Sequence, residues 1–276
     1  MSMRDDKPFV LISNDDGVRA PGLAALAAAM ARVGDTLVCA PEREQSAMGH
    51  SITVKRDLRV AEHVRDGRRW AYSVDGTPAD CVKFALTELI RERGRMPDLV
   101  VSGINRGRNT GVNTIYSGTV AAAVEGMLYG LPAIAVSLDA LRATPDIDFE
   151  PAGRCAESLV RFVLDKGLPE GVVLNLNVPH LPLERIGGAA VSRMSRSMFI
   201  DRFHRVHLEN PREGAWVYRN LGEELVLDRA HEDNDDVILE RGWVSVTPLW
   251  FDLNFHHYRE ELKDWAAGLP LGKALE

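Results

Sequence analysis

Five short runs of consecutive apolar residues punctuate the first two-thirds of the chain: Phe9-Val10-Leu11-Ile12, Thr36-Leu37-Val38-Cys39-Ala40, Leu99-Val100-Val101-Ser102, Ala133-Ile134-Ala135-Val136 and Val172-Val173-Leu174-Asn175-Leu176. Runs of this length, bounded by turn residues, predict strands buried on both faces. Between them the apolar positions shift to helical spacing. Leu23, Leu26, Ala27 and Met30 follow Pro21-Gly22, and Val82, Ala85, Leu86 and Leu89 follow Thr77-Pro78-Ala79-Asp80, a relative of the capping box. Val120, Ala123, Val124 and Met127 predict a third helix, and 152–165 a fourth. Strand alternating with helix predicts an α/β fold, a Rossmann-like three-layer core around a mostly parallel sheet. Residues 41–53 read as a loop. Val54–Val60 and Trp70–Val74 predict a hairpin arm with Asp66-Gly67 near its tip, closed by Asp75-Gly76. A long Gly/Asn loop is expected over 103–118.

The pattern changes after about residue 185. A charged stretch dotted with aromatics holds strand candidates at Ala215–Tyr218, Glu224–Leu227 and Trp243–Thr247, then a helix near 257–266. The expectation is one domain over 1–276, with a core over about 8–185 and a hairpin-rich oligomerisation tail over about 190–276. No internal repeat or low-complexity tract interrupts it.

Composition narrows the function classes. The chain is 45% hydrophobic and 26% charged, which excludes a disordered chain or a coiled coil. The balance of 33 Lys plus Arg against 40 Asp plus Glu leaves a net charge of −7, which argues against nucleic acid duplex as a partner. Cys39, Cys81 and Cys155 are odd in number and far apart, as expected of reduced thiols in a cytoplasmic protein. Met1–Pro8 is charged and lacks an apolar signal region. The longest apolar run, Leu23–Ala31, is far short of the ~20 residues of a membrane span, so no membrane partner is expected.

In a doubly wound sheet, ligands sit outside the carboxyl ends of the strands. The first three strands end in Asp15-Asp16, Glu42-Arg43-Glu44-Gln45-Ser46 and Gly103-Ile104-Asn105-Arg106-Gly107-Arg108-Asn109. If those strands are neighbours, two carboxylates, a hydroxyl and an amide converge. An all-oxygen set favours Mg²⁺, Mn²⁺ or Ca²⁺ over zinc. Each piece also has a plainer reading: Asp15-Asp16-Gly17 as a turn, Ser46 as a surface serine, Asn105 as a turn residue. Ser117-Gly118-Thr119 opens a helix whose free N–H groups suit an anion, or it is simply an N-cap. Arg106 and Arg108 either assist a phosphate or are solvated. His50, His63, His204, His207, His256 and His257 are dispersed, and no base can be placed beside Ser46 as a nucleophile.

Ile12-Ser13-Asn14-Asp15-Asp16-Gly17-Val18 with Ala20-Pro21-Gly22 resembles the opening of the SurE survival-protein family of metal-dependent 5′/3′-nucleotidases. Further blocks agree in order and spacing: Ala40-Pro41-Glu42-Arg43 with Ser46, Gly76–Val82, Val101–Gly107 with Asn109, and Tyr116–Ala121. Leu174–Pro179 and Gly242–Leu249 look like family blocks too. The segment 193–241 and the loop Ala47-Met48-Gly49-His50 depart from the pattern.

The resemblance implies one divalent metal ion per subunit, Mg²⁺ or Mn²⁺, held at Asp15, Asp16, Ser46 and Asn105. It implies phosphate contacts at Asn109, Ser117, Gly118 and Thr119. The activity it implies is phosphomonoester hydrolysis of nucleoside 5′- and 3′-monophosphates, extending to short polyphosphate. A metal-activated water attacking in line is the expected chemistry, with Asp15 or Asp16 orienting it. A homodimer or homotetramer with exchanged C-terminal elements is implied, placing Asp252 and His256 in or near an arm that reaches a neighbouring site. The alternatives are a non-catalytic nucleotide- or metal-binding module in the same crevice and a metal-dependent glycosyltransferase, which would favour Asp-x-Asp over adjacent aspartates.

Overall fold

The structure is a computed structural model that describes residues 7–140, 147–207, 216–255 and 258–268, with only the backbone described over 221–224. The elements in order are β1 (Phe9–Ser13), α1 (Pro21–Ala31), β2 (Asp35–Pro41), β3 (Val60–Arg65), β4 (Arg68–Val74), α2 (Pro78–Phe84), α3 (Ile90–Arg93), β5 (Leu99–Arg106), α4 (Gly118–Leu128), β6 (Ala133–Asp139), α5 (Glu150–Lys166), β7 (Val172–Pro179), β8 (Ala189–Val191), β9 (Met198–Val206), β10 (Val217–Val226), α6 (Asp235–Glu240), β11 (Val244–Trp250) and α7 (Arg259–Ala267). A nine-stranded sheet runs β3-β4-β2-β1-β5-β6-β7-β11-β8, and β9 and β10 form a separate antiparallel pair. From β4 to β7 every pairing is parallel.

The apolar runs become central strands because both of their faces find a core. On β1, Val10 and Ile12 pack with Leu23, Leu26 and Met30 of α1 and Val160 and Val163 of α5. The alternate residues, Phe9 and Leu11, pack on the other face with Cys81 and Val82 of α2 and Val120 and Val124 of α4. The result is the expected helix–sheet–helix sandwich. β1 lies between β2 and β5, so the chain leaves it in opposite directions along the sheet. The switch point falls where the sequence placed its loops.

Three boundaries differ from expectation. The hairpin's first strand is Val60–Arg65, not Val54–Val60. Asp66 and Gly67, both with positive φ (51° and 73°), make a two-residue turn that pairs Arg65 with Arg68 and sets the register. Ahead of Val60 the chain is tied down by other means: Arg59 N–H donates to Asp75 (2.8 Å) and Thr53 N–H to Asp80 (2.9 Å).

β5 runs on to Arg106 instead of ending at Ser102. A side chain at Gly103 would stand 2.3 Å from the Val136 carbonyl, so only glycine lets β5 pass β6 there.

In the tail, the expected strands around Tyr218 and Glu224 are one strand, β10, paired with β9; Ala215 lies outside the described residues. β11 inserts between β7 and β8, so the main sheet draws its last two strands from beyond residue 185. α7 occupies the expected C-terminal helix, with residue 257 outside the described residues. Among the described residues no helix is long and apolar enough to cross a membrane.

Candidate active site

β1 ends in a turn closed by a single side chain. Asn14, fully buried, accepts from Gly17 N–H (3.2 Å) and donates to the Gly17 carbonyl (3.1 Å). That ring points the chain away from the sheet just where Asp15 and Asp16 occur. The β2 loop is fastened to the same turn by Gln45 N–H donating to the Asp15 carbonyl (2.8 Å). On the other side, Arg106 N–H of β5 donates to Asp16 Oδ2 (3.3 Å). The three loops do meet.

They form a cleft of about 960 Å³. Its polar lining includes Asp15, Asp16, Glu44, Ser46, Asn105, Arg106, Asn109 and Ser117. The lining also includes the apolar and aromatic side chains of Ile147, Phe149 and Tyr116, with Met198, Phe199 and Ile200 from the start of β9. All four expected metal ligands therefore line one cavity. Ser46 Oγ donates its only proton to Glu44 Oε1 (2.6 Å), which leaves lone pairs for a further partner. Asn105 spends its amide NH₂ on the Gly107 carbonyl (2.9 Å), and its amide oxygen remains an acceptor.

The electrostatics suit a cation. Burial pushes the Asp15 carboxyl above its ordinary range, against hydrogen bonds from Thr119. Asp16 is pushed up to about 6, by burial first and then by the charge of Asp15, while the Arg106 charge pulls the other way. Two carboxylates held together in this way are costly to ionise unless positive charge joins them. The donor set is oxygen throughout, which fits a hard divalent ion. Among the described residues no three His, Cys, Asp or Glu side chains converge on one point. A cation here must complete its shell with hydroxyl, amide and water oxygens.

The start of α4 behaves differently from a bare anion cradle. Ser117 is the N-cap, accepting from Val120 N–H (3.1 Å), and it lines the cleft. A side chain on Gly118 would sit 2.7 Å from Asp15 Cβ, so glycine is what lets the helix end abut the aspartate. Thr119 is fully buried, does not line the cleft, and donates its hydroxyl to Asp15 Oδ1 (2.5 Å). The helix dipole and this hydroxyl are directed at Asp15.

Asn109 lines the cleft but is fixed from behind. Its N–H donates to Asn177 Oδ1 (2.8 Å), its NH₂ to Ser137 Oγ (2.8 Å), and its carbonyl accepts from Asn175 (2.7 Å). Arg108 is committed to Asp139 by paired hydrogen bonds (2.9 and 2.5 Å) and lies 3.7 Å from Asp236. Arg106 is thus the cleft arginine left facing solvent. Asp252 does not line the cleft; its carboxylate accepts from Asn254 N–H (2.9 Å). His256 lies outside the described residues.

Sequence reasoning missed the apolar part of the lining, Glu44, and the anchors Asn175 and Asn177. The last two had a signal: two fully buried asparagines on one face of a strand must be bonded to something.

Residues 10–201 match the family model described as Survival protein SurE. The chain is 41% identical over 264 residues to a 5′-nucleotidase SurE of Flavobacterium johnsoniae, covering 95% of this chain and 98% of that one. It is 43% identical over 266 residues to a 5′-nucleotidase SurE of Moorella thermoacetica, covering 96% and 98%. Among solved structures, the SurE protein of Aquifex aeolicus aligns with a TM-score of 0.79 at 36% identity, over 94% of this chain and all of the other.

Proposed function

Because this chain belongs to the survival protein SurE family, we propose that its cleft hydrolyses nucleoside 5′-monophosphates, as a metal-dependent phosphoric monoester hydrolase. The observation that carries this reading is the meeting of Asp15, Asp16, Ser46 and Asn105 in one cavity that apolar and aromatic side chains also line. The polar side chains suit the phosphate end of a nucleotide, and the aromatic ones suit the nucleoside.

The finer proposals follow from the same geometry. Asp15, Asp16, Ser46 and Asn105 hold one divalent ion per subunit, Mg²⁺ or Mn²⁺. When bound, the ion supplies charge neutralisation for the phosphate and acidifies water. Thr119 and the start of α4 oppose the effect of burial on Asp15 and hold its carboxylate turned toward the cation. Arg106 offers a guanidinium to phosphate oxygens, and Ser117 and Asn109 border the same space. The apolar side chains of the lining keep water from a bound nucleoside. We extend the substrate range to 3′-monophosphates and short polyphosphate, and place the protein in the cytoplasm, where its three free cysteines stay reduced.

The test is phosphate release from nucleoside monophosphates and p-nitrophenyl phosphate after metal removal and Mn²⁺ addition. Activity should vanish with chelator and return with Mn²⁺. Asp16→Asn should lower it at least ~100-fold, the usual scale for losing a charged group that acts at the reacting phosphate. Binding of nucleotide without turnover under all conditions would replace the enzyme with a binding module.

A further inference from the structure

Ser46 sits in a loop with no strand or helix of its own. The turn directly after it is made by Ala47 in the left-handed conformation, φ 56°. A residue with a Cβ adopts that conformation at a cost, and such turns persist where their surroundings hold them. Here the surroundings can be named. Gly49 N–H donates to the Tyr116 carbonyl (3.0 Å), and His50 Nε2 lies 2.8 Å from Glu125 Oε2 of α4.

Glu125 is an odd residue for its place. It is 3% exposed on a helix whose other buried residues, Thr119 apart, are Ala, Val and Gly. A carboxylate that deep requires partners. Its second oxygen, Oε1, is held by Lys83 of α2 at 3.1 Å. Burial pushes its carboxyl up, but the hydrogen bonds from His50 and Lys83 outweigh this and hold it below the ordinary range. Neither His50 nor Glu125 lines the cleft, and the chemistry above uses neither. Yet α4 is the helix whose first turn braces Asp15 through Gly118 and Thr119. Glu125 lies six residues further along, about 9 Å at 1.5 Å per residue. One rigid helix thus touches both Asp15 and the loop of Ser46.

We propose that His50 and Glu125 are positioning residues for the cation site: their contact holds the strained turn at Ala47 and so sets Ser46 against Asp15 and Asp16, with α4 as the shared reference. This rests on the reading of Ser46 as a cation donor, and the experiment separates the two.

Mn²⁺ binding to the metal-free protein is measured by calorimetry, and deuterium uptake over 44–53 by mass spectrometry without metal. His50→Ala should weaken Mn²⁺ binding about tenfold and speed exchange in the loop, while kcat at saturating Mn²⁺ changes less than about threefold. His50→Gln keeps a donor for Glu125 and should restore binding to within about threefold of the parent. Ala47→Gly, added to His50→Ala, should recover binding because glycine takes the left-handed turn without a steric cost. If His50→Ala binds Mn²⁺ like the parent while Ser46→Ala binds it tenfold or more weakly, the latch is wrong and the role of Ser46 stands. The latch is equally overturned if His50→Gln is as impaired as His50→Ala and Ala47→Gly recovers nothing. If Ser46→Ala itself binds Mn²⁺ like the parent, the reading of Ser46 fails and the latch with it.

Discussion

Asp16 shows how one residue couples site and stability. Its carboxyl is pushed up to about 6, above the ordinary 3.8, so the fold disfavours its ionised form. For an acid with a raised folded pKa, stability falls as pH rises from the unfolded value through the folded one. The metal-free protein therefore gives up as much as ~3 kcal/mol at this residue between about pH 4 and pH 6. Asn at 16 carries no charge to bury. Metal-free Asp16→Asn should melt above the parent at pH 7, and the gap should close at pH 4, as followed by calorimetry with chelator present. Mn²⁺ should reverse the order at pH 7 by stabilising the parent alone, and the gain should fade below pH 6 as the carboxylate protonates. A parent that is no less stable than the variant in chelator at pH 7 would contradict this account.

At the scale of an element, α2 illustrates a helix start that serves a distant loop. Thr77 accepts from Asp80 N–H (3.1 Å) and Asp80 Oδ2 accepts from Thr77 N–H (2.9 Å), a reciprocal capping box with Pro78 in the first turn. The same residues reach outward: Thr77 Oγ1 donates to the Ser51 carbonyl (2.7 Å), and Asp80 Oδ1 accepts from Thr53 N–H (2.9 Å). The cap thereby pins the far end of the loop that bears Ser46. Thr77→Ala should cost about 1–2 kcal/mol, the upper part of the range for losing a cap, because the loop contact goes with it. Urea unfolding should show a lower midpoint with an unchanged m-value. The cap was legible in Thr77-Pro78-Ala79-Asp80 because all its partners lie within one turn. Its second task was not, because the loop carbonyl it meets is 26 residues away.

Across the whole molecule the C-terminal segment departs most from a self-sufficient monomer. Along the run from Trp243 to Phe255, Leu249 is buried and Phe251 packs against the core. Trp250, Leu253 and Phe255 remain 64%, 93% and 71% exposed, and Trp265 of α7, a helix with no buried residue, is 63% exposed. Large apolar side chains left this open mark an interface. We propose that they are covered in a homodimer or homotetramer. Light scattering should give at least a dimer, and Trp250→Ser with Trp265→Ser should shift it toward monomer. A parent that is monomeric and fully active at micromolar concentration would overturn the assembly. Truncation before Gly242 is a poorer test, since it also strips β11 from the main sheet.

What the sequence determined by itself is what short-range periodicity encodes. Continuous apolar runs specified the central strands, i/i+3/i+4 spacing specified the helices, and the alternation of the two specified a parallel sheet. Periodicity placed Asp15-Asp16, Ser46 and Asn105 in loops after the first three strands; that they meet followed only if those strands are neighbours, and the strand order β2-β1-β5 supplied that condition. Tertiary structure decided everything that depends on partners far apart in the chain. Thr119 faces Asp15, 104 residues away, and its hydroxyl was legible only as a cap or an anion ligand. Arg108 is spent on Asp139, 31 residues on, where a free cation had been an equal reading. His50 meets Glu125 across 75 residues, and β9 brings Phe199 to a cleft built by loops near residues 15, 45 and 105. A helix start looks the same in sequence whether its hydroxyl caps, binds phosphate or braces a carboxylate. Only packing, which fixes what stands within 3 Å of it, chooses among them.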